Sequence, residues 1–112
     1  MSAHPAVTAP GWASLIEAML DAVWLVDARS LAIVAANQAA GRLMAMAPHE
    51  LHGKTMIELA FTPEDLVFWG EAGQGQAEQI ESETMVTRTD GRVVAVRRRV
   101  SRVDVDGAPL FI

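Results

Sequence analysis

Apolar and polar positions change period several times along the chain, and each change marks an element. Trp12, Leu15, Ile16, Met19 and Leu20 recur at the one-sided spacing of an amphipathic helix over Trp12–Leu20. From Ala22 to Asp27 the pattern turns short, apolar and β-favouring, with Val23, Trp24, Leu25 and Val26. Ala28-Arg29-Ser30 reads as a turn, and a second apolar arm runs Leu31–Ala36. Asn37 falls where strand gives way to helix, and its side-chain oxygen suits it as an N-cap. Gln38–Met46 returns to helical spacing, with Ala39, Ala40, Leu43 and Met44 on one face. Pro48-His49-Glu50-Leu51 predicts a single helical turn stopped by Gly53, and Thr55–Ala60 a second short helix. Thr62-Pro63-Glu64-Asp65 is a strong helix start: a capping hydroxyl, Pro at the first helical position, then two acids where the helix dipole favours negative charge. Leu66, Val67, Phe68 and Trp69 carry this helix to about Gly70–Gly73, and Gly73-Gln74-Gly75-Gln76 breaks it.

The remainder, Gln79–Ile112, is a strand meander in which Asp90-Gly91 and Asp106-Gly107 are turn dipeptides. The first turn admits two registers. A two-residue loop sets Thr89 opposite Arg92 and Glu83 opposite Arg98. A three-residue loop, Thr89-Asp90-Gly91 with Gly in the left-handed region, pairs Arg88 with Arg92, Val86 with Val94, Thr84 with Val96 and Ser82 with Arg98. It also sets Glu83 against Arg97 and Glu81 against Arg99 on the other face. Opposite-charge cross-strand pairs contribute roughly 0.2–1 kcal/mol each, and segregating apolar from charged side chains contributes more. The three-residue loop is therefore expected, and it leaves Arg98 among Val94, Val96 and Val100 on the inner face.

These motifs resemble the PAS family. The opening matches in Asp21, Ala22, Asp27, Asn37 and Ala39; the middle in Glu50, Leu51, Gly53 and Lys54; the end in Arg88, Asp90, Gly91, Asp106 and Gly107. Ala47 stands where such domains often carry a capping Ser or Thr, so the turn after it is expected to fray. The resemblance implies an α+β fold, a PAS-like five-stranded antiparallel sheet with helices packed on one face. Strands are expected near 22–27, 31–36, 79–89, 92–104 and 108–112. Residues 1–11 read as a disordered leader, 12–21 as a flanking helix and 22–112 as the domain. The chain stops in an apolar run at Leu110-Phe111-Ile112, which reads as a cut within the last strand, with a covalently linked output region missing.

Length and charge narrow the classes further. With 112 residues, 51% of them hydrophobic, the chain has one core. A net charge of −5 argues against a nucleic-acid surface. There are no cysteines, no apolar run long enough to span a bilayer, and no basic, apolar start of a signal peptide, so the cytoplasm is expected.

Candidate pocket residues are Leu43, Met44, Phe68, Trp69, Val86, Val94, Val96 and Arg98, with Asn37 and Thr62 as structural caps. A guanidinium on a buried face reaches solvent, pairs with a carboxylate, or anchors an anionic ligand such as a small organic acid; all three stay open. His49 and His52 are three apart on a short turn, without the spacing of a helical zinc site, and no metal is expected. PAS relatives that hold haem use a His on the long helix, and Thr62–Gly70 has none; covalent flavin chemistry needs a Cys. Non-covalent flavin stays open, with Trp24 and Trp69 as stacking rings. No nucleophile–base pair is evident, so the domain itself is expected to be non-catalytic. The resemblance implies a bacterial signalling domain that binds a small molecule or partner and drives an output region, foremost a sensor histidine kinase. The alternatives are a dimerisation module without ligand and the sensor of a transcriptional regulator. The helix over Trp12–Leu20 is the expected homodimer contact.

Overall fold

The computed structural model describes residues 13–60, 62–73 and 79–112. The expected leader, Trp12 and the Gly/Gln break at 74–76 lie outside the described residues. A helical stretch, α1 (13–17), precedes β1 (Trp24–Asp27) and β2 (Ile33–Ala36). Four helices follow: α2 (Gln38–Met44), α3 (Pro48–Leu51), α4 (Met56–Leu59) and α5 (Pro63–Gly73). Then come β3 (Gln79–Thr87), β4 (Val93–Val105) and β5 (Ala108–Phe111). The strands form one sheet in the order β2-β1-β5-β4-β3, antiparallel at every pairing. Helices inserted between β2 and β3 cover one face, as the α+β reading expects.

The core joins both layers. Val26, Ile33 and Phe111 from the sheet meet Met44, Leu51 and Trp69 from the helices, all nearly or wholly buried. Trp69 meets Phe111 edge-on at 6.0 Å and Phe68 at 4.7 Å. Such pairs contribute about 0.5–1.5 kcal/mol beyond their area.

The long hairpin has the three-residue loop. Val86 pairs with Val94, Thr84 with Val96, Ser82 with Arg98, Glu83 with Arg97 and Glu81 with Arg99. Arg88 N–H donates to Arg92 O at 2.8 Å, and Gly91 takes φ +88°, a conformation that disfavours any side chain. On the outer face Arg99 bridges Glu81 at 3.2 Å, with both side chains well exposed, so this bridge contributes little. The hairpin tip is also held from the helical layer. Arg88 Nη1 donates to the carbonyls of Arg42 and Leu43 at the end of α2, while Thr89 donates from N–H and hydroxyl to Met44 O and from the hydroxyl to Ala45 O. These bonds help to satisfy carbonyls at the end of α2, where Arg42 O also accepts from Ala45 N–H.

Several boundaries differ from the sequence expectation. The second arm begins at Ile33 rather than Leu31, because Leu31 is buried in the turn at φ 62° and the β1–β2 register slips between Leu25 and Val26. Helix α2 ends at Met44, not Met46, with Ala45 in the left-handed region at φ 59°. The N-terminal helix stops at residue 17, not Leu20. Ile16 O there accepts from Met19 N–H and from the Asn37 side chain, so the turn tightens and ends. Thr62 is the cap of α5: its hydroxyl accepts from Asp65 N–H at 3.2 Å. At α3, Glu50 Oε1 accepts from Ala47 N–H at 2.8 Å, half of a capping box without a capping side chain.

Two predictions arise from this frame. A Cβ on Gly41 would lie 2.6 Å from Met46 O and 3.0 Å from Pro48 Cδ, where the chain folds tightly from α2 into α3. Because the nearest atom is backbone, Gly41→Ala is expected to lose about 1–3 kcal/mol in urea denaturation. The second concerns Asp27, whose Oδ1 accepts from Arg29 N–H at 2.8 Å and Ser30 N–H at 2.9 Å. The Ser30 amide, then the Arg29 amide, hold its carboxyl below the usual carboxylate range. A lowered folded pKa means that the stabilisation is full above the unfolded value and is lost as pH falls through the folded one. Urea midpoints are therefore expected to hold from pH 8 to about pH 5 and to fall below about pH 4. In Asp27→Asn that part of the acid loss disappears.

Candidate functional site

Helix α5 turns one stripe toward the sheet: Asp65, Phe68, Trp69 and Ala72 are all buried, at the i, i+3, i+4, i+7 spacing of a helix face. Leu66 and Val67 point away and stay largely exposed. A carboxylate thus occupies the first position of the buried stripe. Opposite it, β3 and β4 present Ser82, Thr84, Val86, Val94, Val96 and Arg98, all only partly buried, while Glu81, Glu83, Met85, Arg97 and Arg99 face outward.

Arg98 meets Asp65 across this gap. Its Nη2 lies 3.2 Å from Asp65 Oδ1 and donates to Ser82 Oγ at 3.2 Å. The other carboxylate oxygen accepts from the Thr84 hydroxyl at 2.9 Å. The guanidinium carbon sits 4.9 Å from the Phe68 ring centre and 5.9 Å from that of Trp69, each a cation–π contact of about 0.5–2 kcal/mol. Side-chain exposure is 18% for Arg98 and 8% for Asp65, so little water screens the pair. Arg98 Nε is buried and has no acceptor among the described residues. Of the three outcomes open for Arg98, pairing with a carboxylate is the one observed.

Around this pair lies a cavity of about 830 Å³. Of the candidate pocket residues, Leu43, Met44, Trp69, Val86, Val96 and Arg98 line it. Phe68 and Val94 do not: Phe68 backs the guanidinium, and Val94 sits by the hairpin tip. Met56, Asp65, Thr84 and Phe111 also line the cavity and were not among the expected pocket residues, and Trp24, named above only as a stacking ring, lies in the wall as well. Strand β5 pairs with β4 from Arg102 to Val105, extended by the Ser101–Ile112 bonds, and with β1 at Val26 and Asp27. Met19, Asp21, Ala22, Val23, Arg97, Arg99 and Ser101 also line the cavity.

The lining residues Asp21 and Val23 are held by Asn37, which is fully buried. Its Oδ1 accepts from Ala40 N–H at 2.9 Å, as a cap should, and also from Val23 N–H at 3.0 Å. Its Nδ2 donates to Ile16 O at 2.8 Å and Asp21 O at 2.9 Å. One side chain thus ties α1, the segment before β1 and α2 together, and the Glu17 carboxylate adds a bond from Gln38 N–H. Only the cap among these roles is legible in the sequence.

Comparison with known proteins gives a consistent picture. A family model described as the PAS fold matches residues 12–110. Among solved structures, the chain is similar to the PAS domain of an HTR-like protein from Haloarcula marismortui, with TM-score 0.74 and 22% identity over 96% of this chain and 88% of that one. A PAS domain from a two-component sensor histidine kinase aligns with TM-score 0.73 and 14% identity, covering 96% and 94%. The PAS domain of the fruit-fly ELK potassium channel aligns with TM-score 0.75 and 10% identity, covering 92% and 91%. No curated protein matches the sequence.

Proposed function

The chain belongs to the PAS family, and we propose that it is the small-molecule sensor of a signalling protein, binding its ligand in the cavity between α5 and the sheet. The observation that carries this reading is the cavity itself. A domain filled for packing alone would bury the inner face of β3 and β4, whereas Thr84, Val86, Val96 and Arg98 stay half-buried around some 830 Å³ of space. That volume, an apolar wall and a few convergent polar groups are the features of small-molecule sites. The reaction chemistry belongs elsewhere: the domain reads the ligand and passes a change to an output region. A histidine kinase is the favoured output, in keeping with the similar domain from a two-component sensor kinase.

Thermal melting against a library of small metabolites tests the reading. A ligand should raise the melting temperature in a saturable way, since binding to the native state alone adds RT ln(1 + [L]/Kd). Val96→Phe, which fills the cavity with a ring, should abolish the rise. A rise that survives this substitution would place the site elsewhere.

Exposed apolar side chains on and after α1 support a homodimer contact beside the sensing role. Leu15, Met19 and Leu20 are 67%, 46% and 96% exposed, while Ile16 on the other side is buried. The double variant Leu15→Glu/Leu20→Glu leaves the Asn37 bonds in place and is expected to convert a dimer into a monomer by mass in solution. An unchanged mass would sink the contact.

A further inference from the structure

We propose that Asp65 sets the charge selectivity of the cavity, making it a site for a neutral, planar ligand with a hydrogen-bond acceptor. Removal of its charge then turns the same cavity into an anion site. The inference rests on the sensing reading above.

Arg98 alone would attract an acidic ligand. Asp65 Oδ1, 3.2 Å from Nη2, cancels that charge inside a poorly hydrated wall, so an anion brought to the guanidinium also approaches a carboxylate. Like charges a few ångströms apart repel strongly where water is scarce. The pairing does not exhaust the guanidinium, however. Nη2 serves Asp65 and Ser82, and a guanidinium carries five N–H donors in all. A carbonyl or heterocyclic nitrogen in the cavity can accept from a guanidinium N–H without adding charge, which makes a neutral acceptor the better fit. Trp24 and Trp69 in the wall favour a flat body. Thr84 holds the second carboxylate oxygen, so Asp65 is fixed from β3 as well as by Arg98.

The test uses 2-naphthamide and 2-naphthoate, which share a shape and differ in charge at neutral pH. Their dissociation constants are measured by NMR titration against the natural protein, Asp65→Asn and Asp65→Asn/Arg98→Met. The natural protein is expected to bind the amide at least about tenfold tighter than the acid, a modest fraction of the repulsion at short range. Asp65→Asn keeps an oxygen for Nη2 and should gain at least about tenfold for the acid, reversing the preference. That gain should vanish when Arg98 is also replaced. Equal binding of the two compounds by the natural protein overturns the proposal, and so does a ratio that Asp65→Asn leaves unchanged. If neither compound binds any of the three proteins, the sensing reading itself fails. Should Asp65→Asn not fold, the ratio in the natural protein decides alone.

Discussion

Arg98→Met is expected to destabilise the domain by about 3 kcal/mol, the low end for breaking a buried ion pair by removing one partner. The loss does not come from the missing attraction alone. Asp65 would remain on the buried face of α5, 8% exposed, with only the Thr84 hydroxyl to hold a full negative charge. The low end applies because Arg98 keeps 18% of its side-chain surface exposed. If the pair accounts for the loss, then Asp65→Leu/Arg98→Met should recover most of it, because no charge is then left in the gap. Urea denaturation of the two single variants and the double variant closes the cycle. A single variant as stable as the natural protein would show that Asp65 finds other partners.

Asn37→Ala is expected to lose about 3 kcal/mol or more. It removes four hydrogen bonds from a fully buried residue, and buried polar groups left without partners cost about 1–3 kcal/mol each. Asn37→Asp divides the effect. A carboxylate still accepts from Val23 and Ala40 N–H, but it meets the carbonyls of Ile16 and Asp21 with no donor. The N-terminal segment should therefore loosen while α2 stays capped. Hydrogen exchange reads this directly: the Ala18 and Met19 amides, bonded to Ser14 O and Ile16 O, should lose protection in Asn37→Asp, and Ala40 should keep it. Equal loss at all three amides would mean that the residue acts only as a global core group.

Much of the fold was legible because local chemistry and global packing agree. The Thr62-Pro63 start, the Asp90-Gly91 loop and the charge pairing across β3 and β4 each select one conformation, and the structure adopts it. What escaped was set by non-local contact. Nothing in Met44-Ala45-Met46-Ala47 marks Ala45 for the left-handed region; the need to turn from α2 toward Pro48 does. Gly41 looks like a weak point in a helix until Met46 O closes over it. The apolar residues Leu66 to Trp69 carry two faces, and only docking decides which one is buried. Asp65 is the instructive case. Read in order, it is one of two acids favoured by a helix dipole. Counting back from Phe68 and Trp69 by three and four places it on their face, and that signal was present in the sequence. The partner of Arg98 was therefore findable.

The measurement that bears most directly on the sensing cavity is an NMR titration of ¹⁵N,¹³C-labelled natural protein with small neutral aromatic compounds. The readout is the indole N–H of Trp24 and Trp69, which line the cavity, with methyl signals of Leu66 and Val67 on the outer side of α5 as the control. Saturable shifts of the two indoles, with the control methyls still, are the predicted result. Indoles that stay fixed at every concentration, or shifts confined to Leu66 and Val67, would contradict it.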